Sequence, residues 1–178
     1  MKRSDCEAQI KLALEYYEKA GIVLNDVEKQ SIEVIDFGLG KVAEMGLQLL
    51  TYINTERVCA KEMVLIPYQS CLEHKHVPTN GCAGKEETFR CRYGKVYLYV
   101  EGEGERDRIQ AKLPDSKVSV FHEIVLNPGE QYTIMPETWH WFQAGPEGAV
   151  ISEFSTRSTD ETDVFTDERL VRQPTIEE

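Results

Sequence analysis

The chain has 178 residues, of which 41% are hydrophobic and 29% are charged, proportions that are ordinary for a soluble globular protein. Its net charge of −11 argues against a nucleic-acid partner, because phosphates need a basic surface. No apolar run approaches the ~20 residues that span a bilayer, and the polar N-terminal sequence lacks the apolar core of a signal peptide. We therefore expect a cytoplasmic protein without a membrane partner.

The cysteines are five in number and include no CxxC pair. In a chain without an export sequence, this pattern predicts reduced thiols. A zinc site formed by Cys71 and Cys82 is the alternative.

Two helices are predicted at the N-terminal end. Ser4 and Glu7 match a capping box, and apolar side chains follow them at helical spacing, which predicts a first helix over residues 5–20. Asn25 is a suitable N-cap for a second, short helix over residues 25–35. We expect both helices to cover the rest of the fold rather than to carry chemistry.

From residue 47 onward the apolar pattern changes to a period of two, and Gly, Pro, Asn and Asp separate the short runs. Many short strands at this spacing are typical of a jelly-roll or sandwich-like barrel. We expect one domain over residues 1–178, with a helical extension in 1–40, the barrel in 45–157 and a tail in 158–178. The predicted strands cover residues 47–53, 57–66, 88–93, 95–100, 119–126, 132–135, 139–143 and 149–155.

Three histidines and one glutamate form the candidate metal site. His74 and His76 would point to one face of a sheet if they lie on a strand, Glu87 opens the next strand-like run, and His140 comes from a distant segment. Such nitrogen and oxygen ligands suit Mn, Fe, Co, Ni or Zn and leave open positions on the ion. The alternative is that the histidines are solvated strand residues. His122 has no motif around it and is interpreted as structural.

The same residues resemble a known pattern. The HxH pair, Glu87, Gly94 and the later His140 resemble the two metal motifs of the cupin barrels, although the ten residues between His76 and Glu87 exceed the usual spacing and the second motif lacks its glycine. The longer spacing, together with GKEETF, FGLG and DVFTDERLVRQP, is similar to the D-lyxose isomerase family of cupins. The similarity covers roughly residues 34–174.

This resemblance implies a mainly-β, cupin-type jelly-roll barrel with N-terminal helices, which forms a homodimer and binds Mn²⁺, with Co²⁺, Zn²⁺, Fe²⁺ or Ni²⁺ as alternatives. It also implies an aldose–ketose isomerase that acts on a monosaccharide. The expected reaction interconverts D-lyxose and D-xylulose, and also D-mannose and D-fructose, by proton transfer through an enediol. Three rival functions stay open: a cupin phosphosugar isomerase, a mononuclear iron dioxygenase and a sugar-binding cupin without catalytic activity.

Four further residues are candidates for catalysis or substrate binding. Glu153 lies in an apolar strand, where a carboxyl is costly to bury unless it is paired or functional, and the family's catalytic glutamate maps to it. Lys85 precedes Glu87 by two residues, and the resemblance gives it a catalytic role at the substrate oxygens. The alternatives are a Glu153 at the solvent rim and a Lys85 in a solvated loop. Asp163 and Arg172 match the family's terminal segment and either bind the sugar or only fix the tail.

Overall fold

The computed structural model describes residues 1–79, 81, 83–172 and 175–176. Short 3₁₀ turns over Arg106–Arg108 and Asp160–Thr162 interrupt the loops. Within the described residues, the helices and strands are α1 (Arg3–Lys19), α2 (Asp26–Gln30), β1 (Glu33–Ile35), β2 (Leu47–Asn54), β3 (Cys59–Leu65), β4 (Ser70–Lys75), β5 (Glu87–Val100), β6 (His122–Leu126), β7 (Gln131–Ile134), β8 (His140–Ser155) and β9 (Val164–Phe165).

The first helix is confirmed, but its predicted cap is wrong. Lys2 is the N-cap of α1 and makes no side-chain capping bond, and Ser4 already lies inside the first turn. The helix stays in place through its packing, because its buried face lies on the outer surface of the barrel. This packed cluster contains Ala13, Tyr16 and Tyr17 from α1 together with Leu50, Val64 and Val150 from the strands.

The second helix begins as predicted and ends early. The Asn25 side chain accepts the N–H groups of Val27 and Glu28, and the Glu28 side chain accepts the N–H of Asn25. After Gln30, however, the chain forms β1 and pairs antiparallel with β2. The β-branched pair before Asp36 is buried in that sheet, and this tertiary contact prevails over helix propensity.

Two long strands turn a corner and thereby build the barrel. The first half of β8 pairs with β4, and its second half pairs with β3. β5 runs antiparallel to β8 along both halves. The result is two facing layers, ordered β1-β2-β3-β8-β5-β7 and β9-β4-β8-β5-β6. The prediction of a mainly-β jelly-roll with N-terminal helices is confirmed.

Glycines allow the corner without breaking the strands. Gly94 and Gly148 have φ angles of 71° and 78°, and a Cβ on Gly94 would lie 2.0 Å from the Gly148 carbonyl oxygen. Both residues must therefore be glycine. The sequence analysis placed strand ends at these glycines, so β5 and β8 were each predicted as two strands.

The C-terminal segment closes one side of the barrel. β9 pairs with β4 so that Phe165 lies opposite His74. On the outer side of β4, the fully buried Glu73 carboxylate accepts hydrogen bonds from Ser119 N–H and Oγ at 2.7 Å and from Thr166 Oγ1 at 2.5 Å. This single carboxylate therefore connects β4 with the segment between β5 and β6 and with the C-terminal tail. No helix within the described residues is both long and apolar enough to cross a membrane.

Candidate active site

The structure brings the predicted ligands together inside the barrel. His74 lies near the end of β4, His76 follows that strand, and His140 begins β8 and pairs with His74. One ring nitrogen from each histidine lies within 4.8 Å of the other two. Glu87 begins β5, and its Oε1 lies 3.1 Å from Nε2 of both His76 and His140.

Backbone carbonyls fix the proton position on two of these rings. Nδ1 of His74 donates to Leu72 O at 2.8 Å, and Nδ1 of His140 donates to Thr138 O at 2.9 Å. A carbonyl can only accept, so Nδ1 carries a proton, and in the neutral form of the ring Nε2 keeps a lone pair. In both rings the lone pair is therefore free for another bond.

His140 and Glu87 provide the test of whether a cation fits. Nε2 of His140 is fully buried and has no hydrogen-bond partner in the described part of the chain, yet it lies 3.1 Å from the Glu87 carboxylate. Two acceptors that face each other at this distance repel, and a cation between them converts both into ligands. The donor set of three imidazoles and a carboxylate suits a divalent transition metal.

His76 lies between two carboxylates. Its Nδ1 is 2.5 Å from Asp163 Oδ1, and its Nε2 is 3.1 Å from Glu87 Oε1. Burial opposes protonation of His76, but the charges of Glu87 and Asp163 prevail and raise its pKa to about 9. At His74, burial and the neighbouring imidazoles outweigh the Leu72 hydrogen bond and the Glu87 charge, so its pKa falls well below the usual value. Burial raises the pKa of the Asp163 carboxyl despite its bond to His76.

Lys85 connects the ligand set to the predicted base. It is buried, and its Nζ lies 2.7 Å from Glu87 Oε2 and 3.1 Å from Glu153 Oε1. Glu153 is also buried, on the second half of β8, and its Oε1 accepts the Ser155 hydroxyl at 3.0 Å. Burial works against the Glu87 anion, but Lys85 and His76 hold the pKa of that carboxyl well below its usual range. Neither Lys85 nor Glu153 lies in the solvent.

Two residues of this charged group were missed by the sequence analysis. Lys61 on β3 is buried, with its Nζ 2.5 Å from Asp160 Oδ2 and 3.8 Å from Glu153 Oε1. It shares the inward face of its strand with Met63, so the argument from buried charge that was applied to Glu153 would also have found it. Asp160 comes from the polar sequence of the tail, where nothing in the local pattern distinguishes it from its acidic neighbours.

The tail residues predicted to bind substrate lie at the same place. Asp163 contacts His76, and Arg172 Nη2 lies 3.3 Å from Asp160 Oδ2. The tail therefore supplies at least three side chains to the site. His122 lies elsewhere, at the start of β6, with its Nδ1 on the Glu103 carbonyl. The alternative zinc pair involves Cys82, which lies outside the described residues, while Cys71 is a buried free thiol.

These side chains line one cavity inside the barrel. Half of the residues that line it are polar and half are apolar, so it suits a small molecule that carries both hydroxyl and C–H surfaces. The polar wall contains Lys61, His74, His76, Lys85, Glu87, Glu153, Asp160, Asp163 and Arg172. The apolar wall contains Ile35, Phe37, Leu47, Leu49, Met63, Cys71, Phe89, Phe142 and Phe165.

A jelly-roll with three histidines and a glutamate gathered at one point inside it has the cupin-type fold. The L-ribose isomerase of Cellulomonas parahominis has the same fold, with a TM-score of 0.76, 16% sequence identity and coverage of 99% of this chain and 98% of that one. Residues 19–178 match the family described as D-lyxose isomerase. The chain belongs to the D-lyxose isomerase family, which confirms the prediction of a sugar isomerase.

Relatives of this family align along nearly the whole chain. A D-lyxose/D-mannose isomerase of Thermosediminibacter oceani is 55% identical and covers 100% of this chain and 99% of its own length. A D-lyxose ketol-isomerase of Cohnella laeviribosi is 58% identical over 96% of this chain and 94% of its own.

Proposed function

We propose that this protein is a divalent-metal-dependent isomerase that interconverts D-lyxose and D-xylulose, with D-mannose and D-fructose as a second pair. The observation that carries the proposal is the position of Lys85, whose ammonium lies between the Glu87 carboxylate of the ligand set and the Glu153 carboxylate. The names of the two relatives support the choice of sugars. D-Mannose has the configuration of D-lyxose at the carbons that follow the carbonyl, which supports the second pair.

His74, His76, Glu87 and His140 would hold the metal, which we expect to be Mn²⁺, with Co²⁺, Zn²⁺, Fe²⁺ or Ni²⁺ as alternatives. When bound, it supplies a Lewis acid that polarises the carbonyl oxygen of the open-chain sugar. Glu153 takes the proton from one carbon and returns it to the next, so that the reaction passes through an enediol. Lys85 donates hydrogen bonds to the oxygen on which charge develops. Asp163 holds the ring of His76 in place.

A phosphosugar substrate is disfavoured by the charge pairing in the cavity. Phosphate recognition needs a cluster of available cations. The described cations of the cavity wall are already paired, because Lys61 and Lys85 both contact Asp160 and Arg172 shares the same carboxylate. Arg90 lies on the outer face of β5 and donates a hydrogen bond to Gln131. An unphosphorylated sugar suits this balanced set of donors and acceptors better.

A sugar panel tests the proposal. The protein is stripped of metal, reloaded separately with Mn²⁺, Co²⁺, Zn²⁺, Ni²⁺ or Fe²⁺, and assayed for ketose formation from D-lyxose, D-mannose, L-ribose and phosphorylated aldoses. We expect activity with D-lyxose to return on reloading and to exceed activity with the phosphorylated sugars. Oxygen uptake with the Fe²⁺ form would favour the dioxygenase instead, and sugar binding without turnover would favour the binding module.

The remaining parts of the proposal concern the assembly and its place in the cell. We propose a cytoplasmic homodimer. Sedimentation of the purified protein at several concentrations measures the mass of the assembly, and a monomer at all of them would contradict the dimer.

A further inference from the structure

Asp160 is the most highly connected carboxylate of the cavity. Its Oδ1 accepts hydrogen bonds from Lys85 Nζ at 3.1 Å and from Ser158 Oγ at 2.6 Å. Its Oδ2 accepts from Lys61 Nζ at 2.5 Å and lies 3.3 Å from Arg172 Nη2. The four donors come from β3, from the loop before β5 and from both ends of the tail.

These contacts argue against two roles for Asp160, although it lies close enough to His76 and Asp163 to share an ion with them. A carboxylate offers about four lone-pair sites, and four donors already fill those of Asp160. It therefore has no remaining capacity to accept a sugar hydroxyl. Its three cationic neighbours also argue against Asp160 as a metal ligand, because these cations would repel a divalent ion, which would have to displace them.

The contacts to Asp160 keep the ammonium groups of Lys61 and Lys85 apart. Lys85 and Lys61 both approach the same oxygen of Glu153, at 3.1 and 3.8 Å. Without Asp160, Glu153 would be the remaining carboxylate near Lys61, while Lys85 would keep only Glu87 and Glu153. Both ammonium groups would then compete for Glu153, and that carboxylate would be less available as a base. With Asp160 present, Lys61 is drawn to the tail and Lys85 is held between Asp160, Glu153 and Glu87.

We propose that Asp160 is a positioning residue, which holds Lys61 and Lys85 so that Glu153 stays available and Lys85 points to the substrate oxygens. The inference rests on the proposed function for the roles of Lys85 and Glu153. Because Asp160 lies in the 3₁₀ turn of the tail, correct placement of both lysines depends on docking of that segment. Asn54 secures the docking, because its side chain bonds both N–H and C=O of Ser158 at 3.0 and 2.9 Å.

The test compares Asp160→Asn with Glu161→Gln, which removes an exposed carboxylate from the same turn. We expect Asp160→Asn to lower kcat about 10- to 100-fold, the scale for residues that orient functional groups, with KM changed less than about threefold and metal content unchanged. Asp160→Glu should recover part of kcat, because it restores the charge. Glu161→Gln should match the wild type. A raised KM with unchanged kcat, or an unchanged kcat, would overturn the proposal.

Two further measurements protect the test against misfolding and against failure of the isomerase assignment. Lys61→Met combined with Asp160→Asn removes a cation and an anion together, and its kcat loss should be smaller than the product of the two single losses. Losses that multiply would contradict a role through Lys61. If the wild type isomerises no sugar, the proposed function fails, and amide exchange of residues 156–172 still tests tail docking. That exchange should be faster in Asp160→Asn than in Glu161→Gln, and equal rates would refute the link to the tail.

Discussion

Asp163 contacts the ring nitrogen of His76 that faces away from Glu87, at 2.5 Å. Outer carboxylates of this kind fix ring orientation and raise the basicity of the opposite nitrogen. We therefore expect Asp163→Asn to lower metal affinity by about 10- to 100-fold, as measured by competition with a chelator. Glu168→Gln, an exposed change in the same tail, is the control and should leave the affinity unchanged. Equal affinities in all three proteins would show that Asp163 only fixes the tail.

The four proposed ligands should behave as a set. Alanine at His74, His76, Glu87 or His140 should remove most of the bound metal and most of the activity, because each contributes one donor to the same point. His122→Ala should retain its bound metal, since the His122 ring bonds the Glu103 carbonyl and does not belong to the histidine cluster. Elemental analysis of the purified variants measures the occupancy. Full occupancy in His140→Ala would remove His140 from the set.

Metal affinity should depend on pH through His76. In the metal-free protein its pKa is raised to about 9, so the ring carries two protons at neutral pH. A metal needs the lone pair on Nε2, and binding must release that proton. Affinity should therefore rise about tenfold per pH unit as the pH approaches 9 and level off above it. Titrations at several pH values measure the slope, and a flat profile between pH 7 and 9 would contradict the role of His76.

Lys85→Met keeps most of the side-chain volume and removes the ammonium. We expect kcat to fall about 10²- to 10³-fold, the scale for the loss of one oxyanion donor, while metal content stays high. Lys75→Met is the matched control, because Lys75 lies over the Trp139 ring on the outer side of β4. Wild-type turnover in Lys85→Met would leave the lysine a purely structural role.

Glu153→Gln tests how hydrogen moves between the two carbons. If Glu153 carries the proton, the variant should bind metal normally and lose at least about 10²-fold in kcat. The wild-type reaction in D₂O should then place deuterium on the product carbon, as seen by NMR. A direct hydride shift needs no base and would leave that carbon unlabelled. An unlabelled product together with an active Glu153→Gln would refute proton transfer.

The sequence predicted those parts of the site whose residue types repeat a known spacing. His74, His76, Glu87 and His140 could be selected before the structure, because their motif is specific. Asp160 could not, because its partners come from three separate segments and only the docked tail brings them together. The pairing of β4 was also difficult to predict, since the strand includes charged side chains that are buried by partners distant in sequence.

The predicted strand ends show a second limit of the sequence analysis. Glycine and proline at residues 145–148 were interpreted as a break between two strands. In the structure these residues form a small excursion at the corner of β8, and pairing with β5 continues on both sides of it. Local sequence indicates that the chain bends there, but whether a bend ends a strand depends on the partner strand.

The proposed functional residues lie on both sides of the corner of β8. Pro146 and Glu147 are exposed at this corner. A cut between them would leave every proposed metal ligand and Lys85 on the N-terminal fragment, and Glu153 with the acidic tail on the C-terminal one. Neither fragment would hold a complete site, and reassociation would have to restore the pairing of the second half of β8 with both β3 and β5. One exposed peptide bond thus separates the proposed metal ligands from the proposed base.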